Sequence, residues 1–363
     1  MRAIVVGGGA YGLSCAERMA RGGASVELIE QDEPAGPRAA SSGRTRVLRY
    51  EYGDDVVFSE LTLRARGRWR ELERISGEQL FDQRGVLHFA GGHGAQDERA
   101  IEVVRSLGIE VSRLSRAEIM RRWPAFSVEA EWGIWSPEGG LLWARRATSV
   151  LARVASDAGV VVRSHSRVVS AAGGAVELED GTRLSADMVV LCAGSWSSKL
   201  DTRLAVIVPR RQVTAYFRAP ISDIPVFGDG GRDFYGFPAH DGHGVKIGWH
   251  RIRDAEIADP SADDPRRVRA EDIEPLAGYL ARLLPAAAGA PLVEADVCFY
   301  ALTADEAPVI DHLDDRTIAA AGLSGHGYKF SCVLGAIVGE LALGLEPSID
   351  LSRFALDRAA LAR

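Results

Sequence analysis

The chain has 363 residues, enough for two lobes, since a single hydrophobic core rarely grows past about 250–300 residues. Hydrophobic residues make up 47% and charged residues 26%, an ordinary globular balance, and the net charge of -7 argues against a nucleic-acid surface. No apolar run, Met188 to Ala193 included, approaches the ~20 residues that span a bilayer, so no membrane partner is expected. The opening MRAIVVGGG reads as a first strand and not as a signal peptide. Cys15, Cys192, Cys298 and Cys332 lie far apart, with no CxxC pair and no metal-ligand spacing; reduced thiols in a cytoplasmic protein are the expectation. Arginine heavily outnumbers lysine, which draws attention to any lysine in apolar surroundings.

Ala3 to Val6 is a short apolar run typical of a buried parallel strand, followed at once by Gly7, Gly8, Gly9 and Gly12. Helical spacing then carries Leu13, Cys15, Ala16 and Met19 to Arg21, where Gly22 and Gly23 stop the helix. A second strand, Ser25 to Ile29, ends at Glu30. Phe58 to Ile75 has helical spacing through Leu61, Ala65, Trp69 and Leu72. Ser115 to Glu118 is a capping box. Thr148 to Ala158 predicts a helix and Val160 to Arg163 a strand. Val168 to Cys192 alternates as short strands with an Asp180–Gly181 hairpin signal, and its last strand, Met188 to Ala193, runs into Gly194. Val206 to Tyr300 is rich in β patterns, Val213 to Phe217 and Val245 to Trp249 among them, with one helix, Ile273 to Leu284, halted by Pro285. The end of the chain returns to α/β: strand Thr317 to Ala321, a glycine-rich turn, and a helix from Tyr328 to Leu343.

Gly7-x-Gly9-x-x-Gly12 follows a strand and opens a helix. The first glycine permits the tight turn, the second lets backbone approach a pyrophosphate, and the third lets helix pack on strand. The helix N-terminus offers orphan N–H groups and a positive dipole end to phosphates. Glu30, at the end of the second strand, is placed to accept from ribose hydroxyls. Together these predict dinucleotide binding without choosing between FAD and NAD. Two later features favour FAD: the strand–turn Leu191 to Trp196, with Gly194 at its bend, and the terminal Ala321 to Gly327 unit, a second glycine turn opening a helix that faces the electronegative end of a flavin ring.

Taken in order, GGGAYG, TRVLRYEYG (Thr45 to Gly53), AGSWSSKL, YGFP (Tyr235 to Pro238), KIGWH (Lys246 to His250), CFY (Cys298 to Tyr300) and SGHGYKF (Ser324 to Phe330) resemble the monomeric sarcosine oxidase and N-methyl amino acid oxidase family, among the D-amino-acid oxidase-like flavoproteins. The resemblance runs nearly end to end and is specific to the family, not to one substrate. It implies FAD attached covalently through a thioether from Cys298 to the flavin 8α-methyl. It implies that Lys246 lies near flavin N5 and promotes reaction with oxygen. Arg49 and Lys329 match the pair that holds a substrate carboxylate. Thr45, Arg46, Tyr235, His250 and Tyr300 match catalytic positions around flavin and substrate, Tyr235 also touching substrate. Ser42, Thr45, Val168, Gly194, Trp196, Gly325, Gly327 and Lys329 fall beside the cofactor. One departure stands out: Ser41 and Ser42 occupy the place of paired histidines, the second of which lies close to the flavin, so pocket polarity and substrate size are expected to differ.

Apart from the resemblance, Cys298 is a cysteine in an apolar strand, commonly an inert thiol. Alternation puts Lys246 on the face opposite Val245 and Ile247, where it is either solvated or, if buried, depressed in pKa and in need of a partner. Arg49 suits a bidentate grip on a carboxylate, though a surface salt bridge is the ordinary use of arginine. His240, His243 and His250 do not make a metal site, since glycines intervene and Asp241 is the only acidic residue near them. His326, between two glycines, reads as a turn residue near the flavin and not as a proton shuttle. The expected architecture is α/β with an α+β second lobe: a Rossmann-type FAD domain (1–82, 143–203 and 303–363) interleaved with an antiparallel-sheet substrate domain (83–142 and 204–302). The expected activity is oxidation of the C–N bond of a secondary amino acid, N-methyl or cyclic, to an imine by a monomer that reduces O2 to H2O2. A dehydrogenase with another electron acceptor and a biosynthetic imine-forming oxidase acting on a secondary-metabolite intermediate are the alternatives.

Overall fold

The computed structural model describes residues 1–91, 94–250 and 256–361. It is mixed α/β. One sheet has six strands in the order 309–314, 317–321, 188–191, 2–6, 25–29, 161–163. All neighbours run parallel except the edge pair Val309–Asp314 and Thr317–Ala321. Its central strands are apolar on both faces because helices or further strands cover each side. Helix Ala10–Arg21 leaves the first strand and packs on the C-terminal helix Ser331–Ala342. That approach is close: a Cβ on Gly335 would meet the Tyr11 carbonyl at 2.5 Å. Helix Ala10–Arg21 begins earlier than the apolar spacing alone indicates, since its first turn, Ala10 to Gly12, is set by the glycine loop. The strand expected over Val160 to Arg163 is Val161–Arg163.

A second sheet has eight strands in the order 292–302, 208–217, 245–249, 234–237, 226–229, 86–89, 132–136, 112–115. It is antiparallel apart from the parallel pair Val86–Phe89 and Val226–Asp229. Helix Ala270–Leu283 lies on one face, burying Leu276, Tyr279, Leu280 and Leu283 against Val245, Ile247, Phe217 and Phe234. Tyr279 and Phe234 stack with centroids 4.1 Å apart. Alternation therefore sends Tyr216, Tyr235, Phe237 and Lys246 to the other face, as period two requires. Register then sets them side by side, Tyr216 opposite Lys246 and Phe237 opposite Lys246. On the outer strand Cys298 pairs with Gln212 and Tyr300 with Arg210.

Two small sheets complete the chain. Val168–Ala172, Ala175–Leu178 and Arg183–Ser185 form a meander whose second turn holds Gly181 at φ 86°, as the Asp-Gly signal predicts. Arg46–Leu48, Gly140–Leu142 and Phe81–Asp82 form the other. Gly140–Leu142 thus pairs with strands from the first segment of the chain. The capping box at Ser115 and Glu118 is formed in both directions. The C-terminal helix is preceded by a 3-10 turn, Gly327–Phe330, so α-helix starts at Ser331 and not at Tyr328. No helix among the described residues is long and apolar enough to cross a membrane.

Candidate active site

A cleft enclosing about 1370 Å³, its open mouth included, runs along the C-terminal ends of the parallel strands towards Cys298 and Tyr300 of the second sheet. That position, outside the carboxyl ends of parallel strands, is where open α/β sheets bind ligands. Gly7, Gly9, Glu30, Val168, Gly194, Trp196, Cys298, Gly325 and Gly327 line it, as do Arg46 and Tyr300. Gly12 does not line the cleft but lets the helix seat on the strand: a Cβ there would stand 2.0 Å from the Gly7 carbonyl oxygen. The Gly9 N-cap has no side-chain cap, so the first-turn amides of the helix are left for a ligand. The Ser41 hydroxyl, 7% exposed, and the Tyr11 hydroxyl are both buried at the cleft without a partner among the described residues. Open first-turn amides and orphaned hydroxyls fit a large phosphate-bearing cofactor. Glu30 accepts from the Gly8 amide at 2.6 Å and the Asp32 amide at 3.1 Å; burial holds its carboxyl above the usual range, and those amides work against the rise.

Ser42 is not part of the lining; its carbonyl accepts from Arg145 at 3.2 Å. Its neighbour Ser41 faces the cleft instead. Arg38, Lys199 and Tyr11 also line it, and no sequence motif assigned them there. Tyr11 sits inside GGGAYG, and its place in the first helical turn was the available signal.

Lys246 is 2% exposed. The face opposite Val245 and Ile247 is where alternation puts it, but that face is covered and not solvated. Its Nζ lies 5.0 Å from the Phe237 ring centroid and 5.6 Å from that of Tyr216. It donates to the Thr45 carbonyl at 3.1 Å and to Thr45 Oγ1 at 3.4 Å. Burial, then the Arg46 charge, brings its pKa down to about 7, against the pull of Asp296, Cys298 and Glu294. Arg46 itself donates to the Thr45 carbonyl at 2.9 Å and to the Ala40 carbonyl at 2.6 Å. The strand Arg46–Leu48 and the loop before it are thereby tied to the face that carries Lys246. Cys298 Sγ is partly exposed and lies 3.9 Å from the Ala40 carbonyl.

A second group of side chains adjoins the cleft through Tyr300 and the Gly325–Gly327 turn. The Tyr300 ring rests on Gly325, where a Cβ would lie 2.3 Å from it. Tyr300 Oη is 3.3 Å from His250 Nδ1. Burial pushes His250 down to about 4, with the Arg49 and Lys329 charges adding to the effect. The Tyr235 ring covers Gly248, and burial raises its hydroxyl pKa, opposed by Arg46. The Arg49 guanidinium lies over the Tyr52 ring at 4.4 Å and donates to the Glu51 carbonyl. Lys329, 1% exposed, lies 5.2 Å from the same ring and donates to Tyr52 Oη at 2.6 Å and to the His326 carbonyl at 2.5 Å. Burial, then Arg49, lowers its pKa well below the ordinary lysine value. A guanidinium and a lysine nitrogen thus border one aromatic ring. The lysines of the chain are Lys199, Lys246 and Lys329, and each lies at this cleft or beside it.

His240 donates from Nδ1 to the Pro238 carbonyl at 2.8 Å and packs between Trp143 and Tyr216. His243 is 3.6 Å from Glu294, and His250 faces Tyr300, so the three histidines serve different neighbourhoods. Among the described residues no group of His, Cys, Asp and Glu is arranged to hold a metal ion.

Residues 2–341 match the family described as FAD dependent oxidoreductase (DAO). The chain is 31% identical over 378 residues to monomeric sarcosine oxidase of Bacillus sp. (strain B-0618), covering 99% of this chain and 96% of that protein. It is 30% identical over 370 residues to N-methyl-L-tryptophan oxidase of Salmonella agona (strain SL483), covering 98% of each. In fold it is similar to the crystal structure of glycine oxidase from Geobacillus kaustophilus, with a TM-score of 0.82, 22% identity, and coverage of 98% of this chain and 99% of that one.

Proposed function

The chain belongs to the DAO family of FAD-dependent oxidoreductases and acts on CH–NH groups; from that premise we propose that it oxidises the carbon–nitrogen bond of a secondary amino acid to an imine while O2 is reduced to H2O2. The observation that carries the substrate class is that Arg49 and Lys329 both border Tyr52, the guanidinium over its ring and the lysine nitrogen at its hydroxyl. A planar guanidinium and a buried amine together suit one carboxylate. FAD, when bound, supplies the two-electron acceptor for the reaction. The first-turn amides after Gly9, with Glu30 and the Ser41 hydroxyl, would hold its dinucleotide portion, and Cys298 would fix it through a thioether. That the Cys298 thiol lines the cleft and, among the described residues, has only a long contact to Ala40 supports this attachment.

The rest follows from the chain's own groups. The substrate amine must be neutral for its lone pair to assist as electrons leave the carbon. His250 is held neutral at pH 7 by burial and adds no further positive charge beside the amine. Lys246, anchored on Thr45 and poised near neutrality, presents a cation where charge develops as oxygen is reduced. Ser41, which faces the cleft and is smaller than an imidazole, favours a substrate bulkier than sarcosine. The test is an oxygen electrode with a bulky N-methyl or a cyclic amino acid: oxygen is consumed, and catalase halves the net consumption because the product is peroxide. Amine oxidation with no oxygen consumed would instead assign the enzyme to another electron acceptor.

A further inference from the structure

Lys329 is held by an ordered chain of hydrogen bonds whose direction the geometry dictates. His326 Nε2 lies 2.8 Å from the Glu306 carbonyl. A carbonyl only accepts, so Nε2 carries the proton and Nδ1 of the neutral ring is an acceptor. Tyr52 Oη, 3.3 Å from Nδ1, must then donate to the histidine. With its proton spent there, the same oxygen has only lone pairs for Lys329 Nζ at 2.6 Å. The amine donates a second time to the His326 carbonyl at 2.5 Å. Around the tetrahedral nitrogen, Cε, Tyr52 and His326 fill three directions. One remains, and among the described residues no further hydrogen-bond partner takes it. A neutral amine has a lone pair there, and an ammonium has an N–H.

We propose that Tyr52 and His326 are positioning residues acting through Lys329: they fix two directions of its nitrogen so that the one left open takes up a proton as a ligand's carboxylate arrives. This rests on the reading of Arg49 and Lys329 as the carboxylate site. In the absence of a ligand carboxylate the lysine is surrounded unfavourably for a charge. Burial and Arg49 oppose its protonation, while Glu51 favours it. Burial keeps His326 and His250 neutral, and the Arg49 charge pushes both the same way, as a protonated Lys329 does. Glu306 is half-buried and held above the usual carboxylate range by burial, which the Arg49 charge opposes and Asp233 and Asp305 reinforce. An incoming carboxylate supplies the missing counter-charge. When the ligand is a zwitterion, the balancing proton is its own: an ammonium N–H bond breaks, a Lys329 N–H bond forms, and no electrons are transferred. The substrate amine is thereby left neutral, as the oxidation needs. When the ligand carries a carboxylate and no amine, the proton comes from solvent.

The experiment is calorimetric titration of the flavin-loaded enzyme with methylthioacetate at pH 8, in buffers of different ionisation enthalpy. Net proton uptake on binding is expected, falling towards zero in Lys329→Met, whose affinity drops by about ten- to a hundred-fold. Tyr52→Phe keeps the ring under Arg49 but loses the acceptor and weakens binding about tenfold. His326→Leu does the same. His326→Gln, whose amide donates to Glu306 and accepts from Tyr52, restores affinity. Weakened binding by Lys329→Met with proton uptake unchanged overturns this inference alone, as does wild-type affinity in both Tyr52→Phe and His326→Leu. Wild-type affinity in Lys329→Met overturns the carboxylate site itself, and the inference with it.

Discussion

Replacing Lys246 by methionine removes a cation that the fold holds almost wholly out of water, while keeping the length of its stem. The folded chain binds this proton with a pKa of about 7 against 10.5 for an ordinary lysine, mainly through burial and then through Arg46. Between those two values the unfolded chain carries a proton here that the folded chain lacks, so stability rises with pH across that window. At ~1.4 kcal/mol per pH unit, the gap amounts to about 5 kcal/mol; the penalty is carried in full below pH 7 and is gone by about 10.5. Urea unfolding of flavin-free protein measures it. Lys246→Met is expected to be the more stable protein at pH 7, and wild type to gain on it by several kcal/mol as pH approaches 10. Parallel pH profiles for the two proteins would refute the burial argument. With flavin bound, the same variant is expected to slow reoxidation by about 10²–10⁴-fold and to leave reduction by substrate nearly unchanged. Unaltered reoxidation would remove Lys246 from the oxygen step.

Cys298→Ser is expected to release its flavin into the supernatant on acid precipitation, while wild type keeps it on the polypeptide; flavin freed from both means that no covalent bond forms. Gly12→Ala puts a Cβ 2.0 Å from the Gly7 carbonyl, so the variant should lose flavin content and unfold at lower temperature; normal content and midpoint would show that the helix seats elsewhere. Arg49→Ala should raise the dissociation constant of a carboxylate inhibitor by about ten- to a hundred-fold and leave that of an uncharged amine little changed, as spectral titration of the flavin would report.

Local pattern made the parallel sheet readable. Strands Ser25–Ile29 and Thr317–Ala321 fall where apolar runs place them, because buried parallel strands are short and apolar on both faces. The glycine spacing located the cleft for the same reason: close backbone approach tolerates no side chain at Gly12. Alternation also gave the face of Lys246, but not what covers that face, since Thr45 lies 201 residues away in sequence. The relay from Lys329 through Tyr52 to His326 was out of reach for a similar cause. Tyr52 and Lys329 are separated by 277 residues, and nothing in Gly-His-Gly distinguishes a turn histidine from one whose tautomer is fixed by a carbonyl. Ser41 and Ser42 differ only in which way a loop turns, and only the folded chain shows that Ser41 is the one at the cleft.

Anaerobic mixing of the purified flavoprotein with a panel of amines tests the central claim most directly. The panel needs sarcosine, larger N-methyl and cyclic amino acids, and their decarboxylated counterparts, with loss of flavin absorbance followed in time. The larger secondary amino acids are expected to reduce the flavin fastest, sarcosine more slowly, and the decarboxylated amines slowest, because Arg49 and Lys329 find no carboxylate in them. Flavin reduced as fast by the plain amines, or by none of the secondary amino acids, would contradict the account.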